Sequence, residues 1–272
     1  MSKAYPSNLT RAQYEFLSEM IPEPKSGGRK REVEMWEVLN GIFYILVEGV
    51  RWRALPGDFP VWQTGGGASP APWYIPIFAI GAKTAPGSRY TTICTSSLAL
   101  SSSVMPVPRK QLSDSQSVKS AAMVYEAVGY DAGKKIKGHK RFMTVDTFGL
   151  VLRVLVTAAN VPERNGGKQV LKRVKRMGDK VSRLTTIWTD GGFDGPAFMM
   201  WVMDVCRWIV QVVLRPKETQ GFLLLKKRWV VERTFGWIMG CPRLVRDYEL
   251  LPETSETFIY LAMIRIMVRR LA

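Results

Sequence analysis

The spacing of apolar residues predicts two helices at the start of the chain. Thr10 and Gln13 have the spacing of a capping box, and apolar residues recur on one face of the turns that follow. A second helix is expected from about Glu32 to Glu48, because its apolar residues also recur at helical spacing. Residues 1–64 therefore form a small N-terminal helical region, which ends in a turn-rich stretch with aromatic residues.

Strands and helices alternate in the second half of the chain. Phe142–Val145 and Leu150–Thr157 are short apolar strands, and residues 146–149 between them predict the turn of a hairpin. Further elements are predicted at residues 165–177 (helix), 185–189 (strand), 196–207 (helix), 208–214 (strand), 227–239 (helix) and 255–270 (helix). Together with a strand near Asp114, this order predicts an α/β fold in which helices flank a mixed sheet.

Residues 65–111 interrupt this pattern. The stretch is rich in Gly, Pro, Ser and Thr, contains no acidic residue, and keeps neither a helical nor a strand period. So long a stretch without regular structure is uncommon inside a compact domain. Residues 109–113 also predict a poor central strand before Asp114. We therefore expect three regions, namely a helical region (1–64), an atypical segment (65–111) and an α/β domain (112–272).

The chain is strongly basic, with 39 Lys and Arg residues against 23 Asp and Glu residues and a formal charge of +16. Such a surplus attracts polyanions and supplies contacts to phosphate groups. A merely solvated basic surface is less favoured, because the charge is clustered at residues 134–141 and 168–176. We expect both clusters to contact the phosphates of a nucleic acid with little sequence preference. The first cluster comprises Lys134, Lys135, Lys137, His139, Lys140 and Arg141.

Histidine and cysteine usage excludes several kinds of site. His139 is the only histidine, which rules out a metal site with several histidines, and its lysine-rich setting is poor for a neutral general base. The three cysteines form no Cys-x-x-Cys pair, which argues against a disulfide framework or a zinc knuckle and favours a reducing compartment. The sequence shows no signal-peptide pattern and no apolar run of bilayer length, so we expect a cytoplasmic protein without a membrane partner.

Three acidic residues stand out against this basic background. Asp190 ends an apolar strand and is followed by two glycines, Glu232 lies on a predicted helix, and Asp114 lies near a strand. Carboxylates that converge in a basic protein bind hard divalent cations, which activate water or a hydroxyl group against a phosphodiester. Structural roles stay open for each of them: a turn residue for Asp190, a helix N-cap for Asp114, and an ion pair with Arg228 for Glu232.

Four further residues receive structural interpretations. Asp131 is interpreted as a surface residue and Asp146 as a turn residue of the hairpin. Trp229 and Trp237, which have helical spacing, are expected in the core rather than in contact with nucleic-acid bases.

Six segments carry a recognisable order of motifs. They are DSQSVKS (114–120), GYDAGKKIKGHKR (129–141), VDTFGL (145–150), TAANVPER (157–164), WTDGGFDG (188–195) and RWVVERTFGW (228–237). Together they resemble the insertion-sequence DDE transposases, and more narrowly the bacterial branch whose glutamate helix carries a spaced Tyr-Arg-Glu-Lys signature. Residues 52–64 and 259–272 are similar too, so the resemblance covers residues 1–64 and 114–272.

The resemblance implies an RNase H-like catalytic domain that cuts and joins DNA. Asp114, Asp190 and Glu232 would be its catalytic residues and its metal ligands, holding two Mg²⁺ (or Mn²⁺) ions roughly 4 Å apart. Water would attack the element end first, and the freed 3′ hydroxyl would then attack target DNA. The implied partner is double-stranded DNA, with assembly into a homo-oligomer on DNA left open, and the implied location is the bacterial nucleoid.

Two departures from the family bear on the expected activity. Leu225 and Met239 stand where the signature tyrosine and lysine are expected, whereas Arg228 matches the signature arginine. We expect Arg228 and Arg233 to contact DNA. Residues 65–111 do not resemble the family, and our hypothesis is a compensated pair of reading-frame shifts in the gene, under which the chain is an inactive copy.

Three alternatives stay open at this level. The chain is either an active transposase or a catalytically dead remnant that still binds DNA through its basic clusters. A structural RNA-binding protein is a third reading, and it predicts no particular arrangement of the three acids. The N-terminal helices form either a DNA-contacting unit or a pair that packs on the α/β domain.

Overall fold

The computed structural model describes residues 4–18, 21, 33–61, 109–214 and 225–271. The atypical segment predicted over residues 65–111 lies outside these ranges, apart from residues 109–111. The frameshift hypothesis for that segment therefore concerns residues that the structure does not describe. Within the ranges given, no helix combines the length and the apolar character needed to cross a membrane.

Both predicted N-terminal helices are present. Helix α1 spans Arg11–Ser18 and begins with the predicted capping box. The backbone N–H of Thr10 donates to Gln13 Oε1 (3.0 Å), and the backbone N–H of Gln13 donates to Thr10 Oγ1 (3.2 Å). Helix α2 spans Met35–Glu48 and ends at Gly49, whose φ of 69° suits glycine.

A six-stranded mixed sheet forms the centre of the described part of the chain. Its strands are β1 (Lys110–Lys119), β2 (Gly129–Asp131), β3 (Ile136–Val145), β4 (Val151–Ala158), β5 (Thr186–Thr189) and β6 (Ile209–Val212). β1 is central, because it runs antiparallel to β3 on one side and parallel to β5 on the other. β6 continues the sheet parallel to β5, and both β2 and β4 pair with the other side of β3.

The prediction of a poor central strand before Asp114 is wrong. β1 begins at Lys110, and Gln111, Leu112 and Ser113 are buried within it. Hydrogen-bonded neighbours on both sides satisfy its backbone groups, and this pairing outweighs the weak strand preference of its polar residues. Asp114 therefore lies inside a strand and does not cap a helix.

Helices cover both faces of the sheet, as the alternating pattern predicts. After the sheet begins, the helices are α3 (Glu163–Lys175), α4 (Pro196–Cys206), α5 (Lys226–Met239), the short α6 (Pro242–Val245) and α7 (Pro252–Leu271). One hydrophobic core joins the sheet to α1, α2, α5 and α7, and a second joins its other face to α3 and α4. The N-terminal helices thus pack on the α/β domain.

The predicted hairpin is confirmed, although β3 begins earlier than expected. The polar first half of β3, which the apolar pattern did not mark, pairs with β1 and β2. In the turn, Asp146 Oδ1 accepts hydrogen bonds from the backbone N–H groups of Phe148 (2.9 Å) and Leu150 (2.8 Å). Burial raises the pKa of Asp146 to about 6, against the opposing effect of these bonds and of Arg233.

Candidate active site

Two neighbouring strands bring Asp114 and Asp190 together. In the parallel pair β1 and β5, Leu112 lies opposite Trp188, and each aspartate follows two residues later. The backbone of Asp190 is still extended (φ −84°, ψ −179°), so the alternation of side chains continues through it. Both carboxylates therefore lie on the same face of the sheet, on strands that run about 4.8 Å apart.

The carboxyl group of Asp114 is buried, and only 9% of the residue is exposed. Burial and the negative charge of Asp190 raise the pKa of Asp114 to about 7. A backbone hydrogen bond from Ser115 (2.7 Å) and the charges of Arg228 and Lys134 oppose this rise. The surrounding cations therefore do not fully balance the negative charge of the two carboxylates. A bound metal cation would reduce the repulsion between them.

The turn after β5 fixes Asp190. This residue opens a short 3₁₀ turn, Gly191–Phe193, and its Oδ1 accepts a hydrogen bond from the backbone N–H of Gly192 (3.0 Å). The turn role that the sequence left open is therefore present. It is compatible with ligand binding, because a carboxylate has two oxygens and about four lone-pair sites.

Glu232 lies on α5, the helix that packs against β1, β3 and β5. Its side chain is 51% exposed, and its Oε1 accepts a hydrogen bond from Arg228 Nη2 at 3.1 Å. The ion pair considered from the sequence is thus present. The charge of Arg228 also lowers the pKa of Asp114, so this guanidinium interacts with both Glu232 and Asp114.

The metal-binding potential of the site lies in the two aspartates. They offer carboxylate oxygens on adjacent strands, and their mutual repulsion is of the kind that a hard divalent cation removes. In the described ranges, no three His, Cys, Asp or Glu side chains form a group that could hold a metal ion. The structure therefore brings two of the three predicted ligands together and holds the third on Arg228.

Half of the first basic cluster lies inside the fold. His139 and Arg141 are fully buried, and Lys140 is 6% exposed. The prediction of a surface patch is therefore wrong for these three residues, because β3 is paired on both sides and covered on both faces where they lie. The exposed members of the cluster are Lys134, Lys135 and Lys137.

The buried residues form a charged network around Asp247, which sequence reasoning missed. His139 Nδ1 and Arg141 Nη2 lie 3.0 Å and 3.8 Å from Asp247 Oδ2, and Ser255 donates a hydrogen bond to the same oxygen. Burial lowers the pKa of His139, but hydrogen bonds to Asp247 and to the carbonyl of Glu126 outweigh this effect and raise it. No local sequence motif indicates this network, because His139 and Asp247 are 108 positions apart.

Asp131 is more than the surface residue that the sequence suggested. It accepts hydrogen bonds from Ser117 Oγ (2.5 Å) and from the backbone N–H of Lys134 (3.0 Å), and it lies 3.5 Å from Lys140 Nζ. Burial raises the pKa of Asp131, but these contacts outweigh burial and lower it to about 2. The carboxylate thus keeps Lys140 inside the fold and away from a nucleic acid.

Arg233 is held between two tryptophans on α5. Its guanidinium carbon lies 4.6 Å from the ring centroids of both Trp229 and Trp237, and Nη2 donates to the carbonyl oxygen of Phe148 (2.7 Å). Trp229 is 41% exposed, so the prediction that it is a core residue is wrong. The helix that carries Glu232 therefore presents an aromatic and cationic surface.

Comparison with known proteins shows the family of the chain. Residues 94–267 match the family model described as "Transposase DDE domain". The chain belongs to this family. Residues 9–65 match a second model, "Putative transposase of IS4/5 family". The resemblance to insertion-sequence DDE transposases is thereby confirmed, and so is the mixed α/β architecture expected of an RNase H-like DDE transposase domain.

One curated relative of this DDE transposase chain is described as "Putative transposase for insertion sequence element IS402" and comes from Burkholderia cepacia. The two sequences are 28% identical over 131 residues, which is 46% of this chain and 60% of the relative. The chain thus spans 60% of the length of that relative.

Proposed function

We propose that this chain cuts DNA at the ends of an insertion sequence and joins the freed ends to a target, with divalent metal ions as cofactors. The observation that carries the proposal is the placement of Asp114 beside Asp190, on the sheet face covered by the helix of Glu232. The chain has a formal charge of +16, so two adjacent carboxylates are unusual in it. They can bind a metal cation, while the basic surface of the chain binds the DNA phosphates.

Asp114 and Asp190 would hold Mg²⁺ (or Mn²⁺), because hard cations prefer carboxylate oxygens. When bound, the metal supplies Lewis acidity and lowers the pKa of a coordinated water. The chain itself contributes rigid positioning. The backbone N–H groups of Ser115 and Gly192 orient the two carboxylates, and the paired strands β1 and β5 keep them side by side.

Glu232 is the proposed third metal ligand. Its ion pair with Arg228 opposes metal binding only weakly. An exposed ion pair four residues apart on a helix contributes only about 0.3–0.5 kcal/mol. Metal binding by a carboxylate easily exceeds that value, so Glu232 can leave Arg228 when the site is filled. The released guanidinium would then contact a DNA phosphate, as the sequence predicts for Arg228.

The proposed DNA contacts follow from exposure and charge. Lys134, Lys135 and Lys137 are exposed in the basic cluster, and Arg233 lies next to Glu232 on α5. The partner is double-stranded DNA at the element ends and at the target. Assembly into a homo-oligomer on that DNA and a location at the nucleoid are part of the same proposal, by analogy with the family.

The test is a nicking assay on a supercoiled plasmid that carries the DNA flanking this gene in its own element. We expect Mg²⁺-dependent nicks by the wild type, and a loss on the order of a thousandfold or more in Asp190→Ala. The matched control is Asp204→Ala, because Asp204 is exposed on α4 and away from the sheet. Nicking that survives Asp190→Ala, or that needs no metal, would contradict the proposal.

A second arm separates the two roles of Glu232. If it binds metal, Glu232→Gln should abolish nicking while DNA binding remains. If it only pairs with Arg228, both Glu232→Gln and Arg228→Ala should change nicking by less than about threefold, as the small energy of an exposed ion pair requires.

The second candidate function is a catalytically dead DNA-binding remnant. The observation that favours it is the pairing of Glu232 with Arg228, which leaves the site with two acids and no three-ligand group among the residues described. The remnant binds plasmid DNA as well as an active enzyme does but leaves it uncut with Mg²⁺ or Mn²⁺. Translation of the gene in the neighbouring frame over residues 65–111 bears on the same question, because the frameshift hypothesis fails if that frame yields no charged, aromatic helix.

A further inference from the structure

A basic pocket of about 390 Å³ opens where β1, β2 and β3 meet the segment before α7. Four cationic side chains and one tyrosine line it, and the rest of the lining is small or apolar. None of these lining residues is acidic. The charged and aromatic members are Lys119, Lys135, Lys137, Arg246 and Tyr130.

Backbone pairing holds three parts of this pocket in place. Tyr130 on β2 pairs with Lys137 on β3, and Lys119 ends β1. The backbone N–H of Asp247 donates to the carbonyl of Lys119 (2.9 Å), and the buried carboxylate of Asp247 is bonded to His139. Arg246 directly precedes Asp247 and is therefore anchored beside Lys119, so the positive charges are brought together by the fold.

Lys137 lies on the same face of the sheet as the acidic pair, whereas Lys119 follows Asp114 by five positions on β1 and lies on the other face, so the pocket is at the edge where the two faces meet. Lys137 precedes Met143 by six positions on β3, and Met143 pairs with Asp114. An even separation along a strand places side chains on one face, and six positions span about 20 Å. A DNA duplex rises about 3.4 Å per base pair, so this distance corresponds to about six base pairs.

We infer that this pocket binds the phosphodiester backbone of the DNA duplex, about six base pairs from the site of cutting at Asp114 and Asp190. The location relative to the cut rests on the proposed function, whereas the binding of phosphate by the pocket does not. Lysine ammonium groups and a guanidinium are strong donors to phosphate oxygens. Tyr130 is 55% exposed and adds a hydroxyl donor at the rim.

The first experiment measures the salt dependence of DNA binding. Fluorescence anisotropy follows the full-length chain on a 30-base-pair duplex, a length chosen at about five times the inferred spacing. Each lost phosphate contact lowers the slope of log affinity against log salt by about 0.9. Lys119→Gln/Lys137→Gln should therefore lower it by about 1.8, which reduces the loss of affinity between 50 and 200 mM salt by about tenfold.

The matched control removes the same charge from two residues that do not line the pocket. Lys180 and Arg207 are exposed beyond α3 and α4, the helices on the other side of the sheet. Lys180→Gln/Arg207→Gln should leave the slope within about 0.3 of the wild type, because neither residue lines the pocket. Equal slopes for the two double variants would overturn the inference.

Free phosphate is the competing source of the same ligand chemistry. Titration calorimetry with inorganic phosphate distinguishes it. Weak phosphate binding that is lost in Lys119→Gln/Lys137→Gln, with an unchanged DNA slope, would show a small-anion site and overturn the inference.

The second experiment locates the contact. Single neutral methylphosphonate linkages are placed at successive positions from the nick on the duplex. Wild-type affinity should fall most about six base pairs away, and that fall should disappear in Lys119→Gln/Lys137→Gln.

A chain that never nicks but shows the reduced slope refutes the proposed function and keeps the phosphate site. If the wild type nicks DNA but the slope is unchanged in Lys119→Gln/Lys137→Gln, the phosphate site is refuted and the proposed function is kept.

Discussion

Two buried carboxylates of this protein have pKa values that are shifted in opposite directions. Burial and the charge of Asp190 raise the pKa of Asp114 to about 7. Burial also raises the pKa of Asp247, but a hydrogen bond to His139 and the charge of Arg141 outweigh it and lower the pKa. Asp247 thus has its cations built into the fold and is structural. Asp114 lacks such a set and is suited to take a cation from solution.

The pKa of Asp114 makes the stability of the metal-free chain depend on pH. The group titrates near 7 in the folded chain and near 3.9 when unfolded, so the folded state holds its proton more tightly. The contribution is fully present below about pH 4 and is lost as the pH rises through 7. Asp114→Asn stays neutral and should therefore raise the free energy of unfolding at pH 8 by on the order of 2–4 kcal/mol, with little change at pH 4.

Urea denaturation at the two pH values measures this difference. The control is Asp204→Asn. Because Asp204 is exposed, this substitution should change the free energy of unfolding by the same small amount at pH 4 and at pH 8. Added Mg²⁺ should stabilise the wild type at pH 8 but not Asp114→Asn, since ligand binding to the folded state adds stability. If Asp114→Asn were no more stable than the wild type at pH 8, the buried acidic pair would be refuted.

Glycines in α3 allow this helix to lie directly on the sheet. A Cβ atom at Gly166 would lie 2.1 Å from the ring of Phe142 on β3, and one at Gly167 would lie 2.6 Å from the ring of Phe193. Phe193 belongs to the turn that Asp190 opens. The close approach of α3 therefore supports the element that positions one of the two acids.

Substitution of Gly166 tests this packing. Gly166→Ala should lower the free energy of unfolding by about 1–3 kcal/mol, because the ring of Phe142 must move. The control is Gly236→Ala in the interior of α5, where a Cβ would meet nothing within 4 Å. That variant should gain about 0.5–1 kcal/mol from helix propensity. Thermal and urea unfolding measure both, and changes of the same sign would refute the close approach of α3.

One hydrophobic core joins the two ends of the chain. Ile42 and Phe43 of α2 and Phe258 and Ile259 of α7 are fully buried in the same cluster, together with Leu112 of the central strand. The residues of the proposed N-terminal region therefore contribute to the core of the α/β domain. The division at residue 64 into a separate, DNA-contacting region stays a proposal, because the described helices of that region share one hydrophobic core with the α/β domain.

Split fragments test this shared core. A fragment of residues 109–272 made alone should aggregate or lack a cooperative unfolding transition, because it exposes the apolar surface that α2 covers. Co-expression with residues 1–61 should restore a soluble complex. Gel filtration and calorimetry give the readout, and Ile42→Asp in the short fragment is the control that should prevent rescue. Cooperative unfolding of the long fragment alone would refute the prediction.

The sequence by itself determined the helices, most of the strands, their order, the family and the strong positive charge. These features are local: a capping box at Thr10, an apolar period or an acid after a strand depends only on residues nearby. Tertiary structure decided which charges meet. Strand order placed Asp114 beside Asp190, the partner of His139 came from 108 positions away, and pairing on both sides made a central strand of a polar segment. Burial and long-range pairing set the free energy of each charge, and no local pattern contains them.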